Sequence, residues 1–220
     1  MADTKQLVIV NAGTSDPSTT RLLADRATTK TLAEAERRGI AMEARVIDLR
    51  PLAGDITAAL TTQLVSTELE RASEILRDAD AIIAATPVYK AAASGLFTSF
   101  FQVLDNDLLI GTPVLLAATA GSPRHSLVVD DQLRGFFSYL RTVTAPTSLV
   151  SSPEDWNSSE FGKRVDRAAT ELMALVAGGF RENARGEGWE AYQHSYGSAG
   201  GTELGINLDS DLMRLAAGGR

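Results

Sequence analysis

Three short apolar runs without polar alternation constrain this chain most: Leu7-Val8-Ile9-Val10, Asp80-Ala81-Ile82-Ile83-Ala84-Ala85 and Pro113-Val114-Leu115-Leu116-Ala117-Ala118. A strand with one face in water alternates apolar and polar side chains, whereas these runs offer apolar groups to both faces and must be covered from both sides. Two weaker segments complete the set. Glu43-Ala44-Arg45-Val46-Ile47-Asp48-Leu49 alternates partly and reads as a peripheral second strand, and Pro146-Thr147-Ser148-Leu149-Val150 reads as the fifth. Helical segments separate all five. The chain is therefore expected to form an α/β fold: a five-stranded parallel sheet within a three-layer α/β/α sandwich.

The helices follow from periodicity and caps. Residues 18–38 carry a stripe of Leu22, Leu23, Ala27, Leu32 and Ala35, with Ser18 as N-cap and Gly39 as the stop. A short helix is expected near residues 55–60, and a better one over 68–78 with Leu69, Ala72, Ile75 and Leu76 on one side. Ser94 caps a helix over 95–104, residues 126–141 form another with Leu127, Leu133, Phe136, Phe137 and Leu140, and 161–177 close the domain. That last helix turns Val165, Ala168, Ala169, Leu172, Leu175 and Val176 inward. Asp105-Asn106-Asp107 reads as a solvated helix end rather than a cation site. Beyond residue 180 glycines and polar residues intermingle, so residues 1–180 are read as one domain and 181–220 as a tail that is flexible or docks on a neighbouring subunit through Trp189, Tyr192 and Tyr196.

Composition removes several classes of chemistry. The net charge of -7 disfavours a general nucleic-acid binder. With no cysteine and two histidines far apart, there is no thiolate nucleophile, no disulfide framework and little to hold a metal, so redox chemistry requires a bound cofactor. Met1–Gln6 is too short and polar for a signal peptide, and no apolar run approaches the roughly 20 residues of a membrane span. A cytoplasmic protein that engages no membrane is expected.

The informative residues lie where strands give way to helices, at the carboxyl edge where open parallel sheets receive ligands. After the first strand, Asn11-Ala12-Gly13-Thr14-Ser15-Asp16-Pro17-Ser18-Thr19-Thr20 is almost entirely turn formers and hydroxyls. Free N–H groups at the helix start join those hydroxyls in an anion site without a lysine, although Ser and Thr also commonly do no more than cap a helix. The phosphate-loop pattern G-x-x-x-x-G-K-[ST] is absent, and G-x-G-x-x-G is missing from this turn. After the third strand come Thr86-Pro87-Val88-Tyr89-Lys90 and then Ser94-Gly95. Pro87 is expected to end the strand, having no N–H to donate, and the small Ala91, Ala92 and Ala93 would admit a flat ring. The plainer alternative is an ordinary strand-to-helix loop.

Thr86-Pro87-Val88-Tyr89-Lys90 followed by Ser94-Gly95 resembles the isoalloxazine-binding loop of the NAD(P)H-dependent FMN reductases. This flavodoxin-like family includes the reductases that serve sulfonate monooxygenases, and the resemblance spans residues 7–180. It implies flavodoxin strand order and places the FMN phosphate at Thr14, Ser15, Ser18, Thr19 and Thr20. Many relatives carry an arginine early in that loop; here Asp16 stands there, with Arg21 nearby. Relatives have a Thr-Gly-Gly-type turn after the fourth strand, at the flavin edge, where this chain has Thr119, Ala120, Gly121 and Ser122. His125 is expected to pack beside the flavin or cap the next helix rather than donate a proton, and Arg124 is a weaker candidate for the nicotinamide nucleotide's phosphates. In relatives the helix over 126–141 packs against another subunit, implying a homodimer or homotetramer. Some sulfonate-type reductases have an inserted tyrosine there, tied to a helical bulge; the nearest position here is Asp131.

The implied function is transfer of hydride from NADPH or NADH to FMN, with reduced flavin supplied to a flavin-dependent monooxygenase. No side chain acts as an acid, base or nucleophile. Two alternatives stay open: an enzyme that retains FMN and reduces quinones, azo compounds or metal oxyanions, and a flavodoxin-type electron carrier without NAD(P)H activity.

Overall fold

The computed structural model describes residues 4–186. Its sheet is built from β1 (Lys5–Asn11), β2 (Met42–Asp48), β3 (Ala81–Tyr89), β4 (Ala92–Ala93), β5 (Pro113–Thr119), β6 (Val143–Thr144) and β7 (Leu149–Ser151). The order is β2-β1-β3-β5-β6, with β7 also on β5 and β4 on β3, and every pairing except β3 with β4 is parallel. The helices are α1 (Thr19–Arg37), α2 (Ala53–Thr62), α3 (Thr67–Arg77), α4 (Gly95–Gln102), α5 (Arg134–Tyr139), α6 (Ser159–Ala177) and α7 (Phe180–Ala184). This is the expected flavodoxin-like arrangement.

The unalternating runs are buried on both faces, as their composition requires. Leu7, Ile9, Ile83, Leu115 and Ala117 point to one face, where Leu23, Ala27, Val165 and Leu172 of α1 and α6 cover them. Val8, Val10, Ile82, Val114 and Leu116 point to the other, beneath Ile56, Leu69 and Leu76 of α2 and α3 and a set of phenylalanines. Phe101 of α4 meets Phe97 and Phe137 with ring centroids 4.9 Å apart in edge arrangements. Such contacts contribute about 0.5–1.5 kcal/mol each beyond burial, and they fix α4 against α5.

Several expectations change. β3 continues through Pro87 to Tyr89 instead of ending at the proline. The Ala85 carbonyl accepts from Ala12 on the β1 side. Pro87 has the same parity, but β1 has already ended there; on that side the Pro87 carbonyl accepts from the Ser94 N–H at 3.1 Å, and the proline, with no N–H to return, ends the short β3–β4 pairing rather than β3 itself. The fifth strand begins earlier, at Val143, and is split around Pro146 into β6 and β7. The helix expected over 126–141 is composite, with a 3-10 turn at Pro123–His125 and a wide π-turn at Val129–Leu133 leading into α5. Leu127 and Leu22, both assigned to apolar stripes, are 71% and 52% exposed. Asp107 is not solvated: its side chain is 3% exposed and accepts from Arg141 Nη1 at 2.8 Å. It anchors the connection into β5 instead of decorating a helix end.

The first residues of the expected tail pack on the domain. In and just after α7, Arg185 donates to the carbonyls of Ile110 and Leu108 at 2.8 and 2.7 Å, Arg181 to the Arg77 carbonyl, and Lys5 to Glu182 at 2.5 Å. Burial pushes the Arg185 guanidinium down to about 10, still protonated at neutral pH. Trp189, Tyr192 and Tyr196 lie outside the described residues.

Candidate functional site

The carboxyl ends of β1, β3, β5 and β7 open together onto a cleft of about 230 Å³. The loop from β1 to α1 lends it Gly13, Thr14, Ser15, Thr19 and Thr20; the end of β3 lends Pro87, Val88 and Tyr89; Thr119, Ala120 and Gly121 close the third side. Pro153, beyond β7, forms part of the rim. Among these lining residues Tyr89 is the one aromatic.

The first loop is shaped by close approach. Gly13 donates its N–H to Asn11 Oδ1 at 3.1 Å, and Asn11 Nδ2 donates to Asp48 Oδ1 at 2.6 Å, tying the loop to β2. A Cβ on Gly13 would lie 2.0 Å from Ser18 Oγ, so only glycine fits. Ser18 Oγ accepts from the Arg21 N–H at 3.1 Å as the N-cap of α1. Because the first N–H groups of a helix have no partners within it, Thr19 and Thr20 present donors at the positive end of α1, whose first turn carries no acidic side chain. These donors and hydroxyls suit an anion.

Arg21 is turned away from this cleft. Its Nε donates to Asp25 at 2.8 Å and its Nη1 to Asp48 at 3.1 Å, and these carboxylates, Asp25 first, hold its pKa above the ordinary value. It lines a neighbouring groove of about 420 Å³ on the other side of the first loop, with Asp16, Ser18, Asp48 and Arg50.

The base of the cleft is tied by hydroxyls. Thr20 and Thr119, both buried, share a hydrogen bond of 2.6 Å between α1 and β5. At the mouth, Thr14 Oγ1 and Tyr89 Oη are 3.3 Å apart, so the first and second loops touch. Thr86 is fully buried behind the second loop, where its hydroxyl donates to the Pro87 carbonyl and accepts from the Ser94 N–H at 3.1 Å. Ser94 caps α4 through Phe97 N–H. The Ala120 N–H donates to Ser151 at 2.9 Å, which sets the third loop against β7.

Of the residues singled out in the sequence, Thr14, Ser15, Thr19, Thr20, Pro87, Val88, Tyr89, Thr119, Ala120 and Gly121 are brought together around one cleft. Ser18 and Thr86 stand behind it, holding the loops. Lys90, Ser122 and His125 are not among the lining residues; His125 sits in the short 3-10 turn after the third loop. Gly13 and Pro153 are additional lining residues. The glycine is visible in the sequence only as one turn former among many, and Pro153 enters because β7 ends beside β5.

A parallel sheet of this order, with a cleft across its carboxyl edge and a hydroxyl-rich helix start at one end, defines a flavodoxin-like protein built for a mononucleotide. More particularly, the chain belongs to the NADPH-dependent FMN reductase family, whose model matches residues 5–157. It is 35% identical to the FMN reductase (NADPH) of Pseudomonas aeruginosa over 181 residues, 80% of this chain and 95% of the relative. It is 36% identical to the NADH-dependent FMN reductase SfnF of Pseudomonas fluorescens over 169 residues, 77% and 88% of the two chains. Among solved structures, an oxidoreductase from Corynebacterium diphtheriae matches with a TM-score of 0.77 and 42% identity, covering 80% of this chain and 98% of its own.

Proposed function

We propose that the chain is an NAD(P)H-dependent FMN reductase that binds FMN in the three-loop cleft. The observation that carries this reading is that one cleft joins an anion-adapted helix start to Pro87, Val88 and Tyr89 at the end of β3. Thr14, Ser15, Thr19 and Thr20 would hold the phosphate, Pro87 to Tyr89 would border the ring, and Thr119 to Gly121 would meet its edge. The fit is supported by Gly13, whose lack of a Cβ lets the loop fold tightly onto the start of α1. Bound flavin supplies the hydride acceptor, and NADPH or NADH the donor; the protein contributes binding and orientation. Neither exposed cation near the cleft, Lys90 or Arg124, lines it, which fits recognition of the phosphate by neutral donors rather than by a point charge.

The product is reduced FMN, handed to a flavin-dependent monooxygenase. Relatives named NADH-dependent FMN reductase SfnF and SfnE support the step that generates this product. The exposed side chains of Leu127 and Tyr139, flanking the π-turn and α5, support a homodimer or homotetramer assembled through that helix. Among the described residues no helix is long and apolar enough to cross a membrane, in keeping with a cytoplasmic site of action. The test is NAD(P)H oxidation with and without added FMN. Turnover that depends on free FMN and saturates with it supports the reading; FMN that survives dialysis and passes electrons to quinone by a ping-pong mechanism overturns it.

A further inference from the structure

The second loop ends in a two-residue hairpin. Tyr89 on β3 pairs with Ala92 on β4, and the connecting Lys90 and Ala91 both lie in the left-handed region, with φ of 52° and 63°. Such hairpin turns require positive φ at both central residues and are normally built with Asn-Gly or Asp-Gly; lysine and alanine pay a steric penalty there. Strained turns persist only where surrounding contacts hold them. Here one such contact is visible. Gln132 Nε2, reaching from the π-turn, donates to the Ala91 carbonyl at 2.9 Å. The π-turn is what puts it there: the Arg134 N–H bonds to the Val129 carbonyl, five residues back, and the wide turn carries Gln132. On the other side of the hairpin, Tyr89 reaches across the cleft mouth to Thr14.

We propose that Gln132 is a positioning residue for the FMN cleft, holding the strained Lys90–Ala91 hairpin so that Tyr89 and Val88 stay in place against the ring. This rests on the proposed binding of FMN in the three-loop cleft. Gln132 is not among the residues lining the cleft; it acts through the Ala91 carbonyl. The bond is exposed and single, so its loss raises the FMN dissociation constant about three- to tenfold, the range of one net hydrogen bond. At saturating FMN the turnover rate is unchanged.

The experiment titrates FMN into wild type, Gln132→Leu, Gln132→Glu, Gln132→Lys and the Ala91→Gly versions of wild type and Gln132→Leu, with thermal unfolding measured in parallel. Gln132→Leu and Gln132→Glu, which lack a donor at neutral pH, should weaken FMN binding to the stated degree with melting temperatures unaltered, while Gln132→Lys, which restores a donor, should bind near wild type. Glycine adopts positive φ without penalty. In the Ala91→Gly background the loss on Gln132→Leu should therefore shrink to less than twofold. Equal FMN affinity in wild type and Gln132→Leu, or an undiminished loss in the Ala91→Gly background, overturns the positioning role. Failure of wild type itself to bind FMN overturns the cleft assignment instead.

Discussion

At position 13 a hydrogen in place of a side chain decides how near the first loop can come to α1. An alanine there would drive its methyl to 2.0 Å from Ser18 Oγ, displacing the N-cap. Loss of such a cap costs about 1 kcal/mol. Gly13→Ala should therefore lower stability by roughly that amount or more, and weaken FMN binding at least tenfold because the donors at the start of α1 move; thermal unfolding and flavin titration check the two parts. Thr20 and Thr119 make a second residue-scale case. Thr20→Val removes one partner of a buried 2.6 Å hydrogen bond and leaves the other hydroxyl unsatisfied, costing about 1–3 kcal/mol. In the double variant Thr20→Val/Thr119→Val the loss should be smaller than the sum of the two single losses, as denaturant unfolding would show.

At the scale of elements, the buried strands and capped helices were legible because their signals are local. Leu7 to Val10 can satisfy both sheet faces only as a buried strand, and Ser18 and Ser94 cap α1 and α4 as read. What was not legible depends on a neighbour that is distant in sequence. Pro87 sits within β3 because β1 has ended beside it and the partner that follows, at Ser94, needs only its carbonyl. Pro146 splits the last strand, but that β5 pairs with both halves cannot be read from residues 143–151 alone. Asp107 looks solvated until Arg141, 34 positions on, is placed against it. Removing the carboxylate charge in Asp107→Asn should destabilise by about 2 kcal/mol, below the roughly 3–5 kcal/mol of a fully buried pair because the Arg141 side chain is 32% exposed and can be hydrated. A urea titration measures this. The cleft itself was legible as three loops, but the division between Thr20, which lines it, and Thr86, which is buried behind it, comes only from packing.

Across the whole molecule, stability and ligand binding lie at opposite edges of the sheet. α7 clamps the amino-terminal edge through Arg185, whose acceptors Leu108 and Ile110 precede β5, whereas the cleft lies past its far end at Thr119. Arg185→Ala should cost about 2 kcal/mol, as expected for charge-assisted hydrogen bonds, and leave FMN affinity unchanged. Glu182 belongs to the same clamp. Its hydrogen bond from Lys5 holds its carboxyl below the ordinary value. The folded state therefore takes up this proton at lower pH than the unfolded chain, so the stabilisation is full above the unfolded pKa and disappears as pH falls through the folded one. Between about pH 6 and pH 3 the urea midpoint of wild type should fall more steeply than that of Glu182→Gln.

Calorimetric titration with FMN and with riboflavin tests the central claim most directly, because the two ligands share the ring and differ in the phosphate that the start of α1 would receive. FMN should bind with a saturable heat and riboflavin at least a hundredfold more weakly. Equal affinities, or no heat with FMN, would contradict the assignment of the cleft.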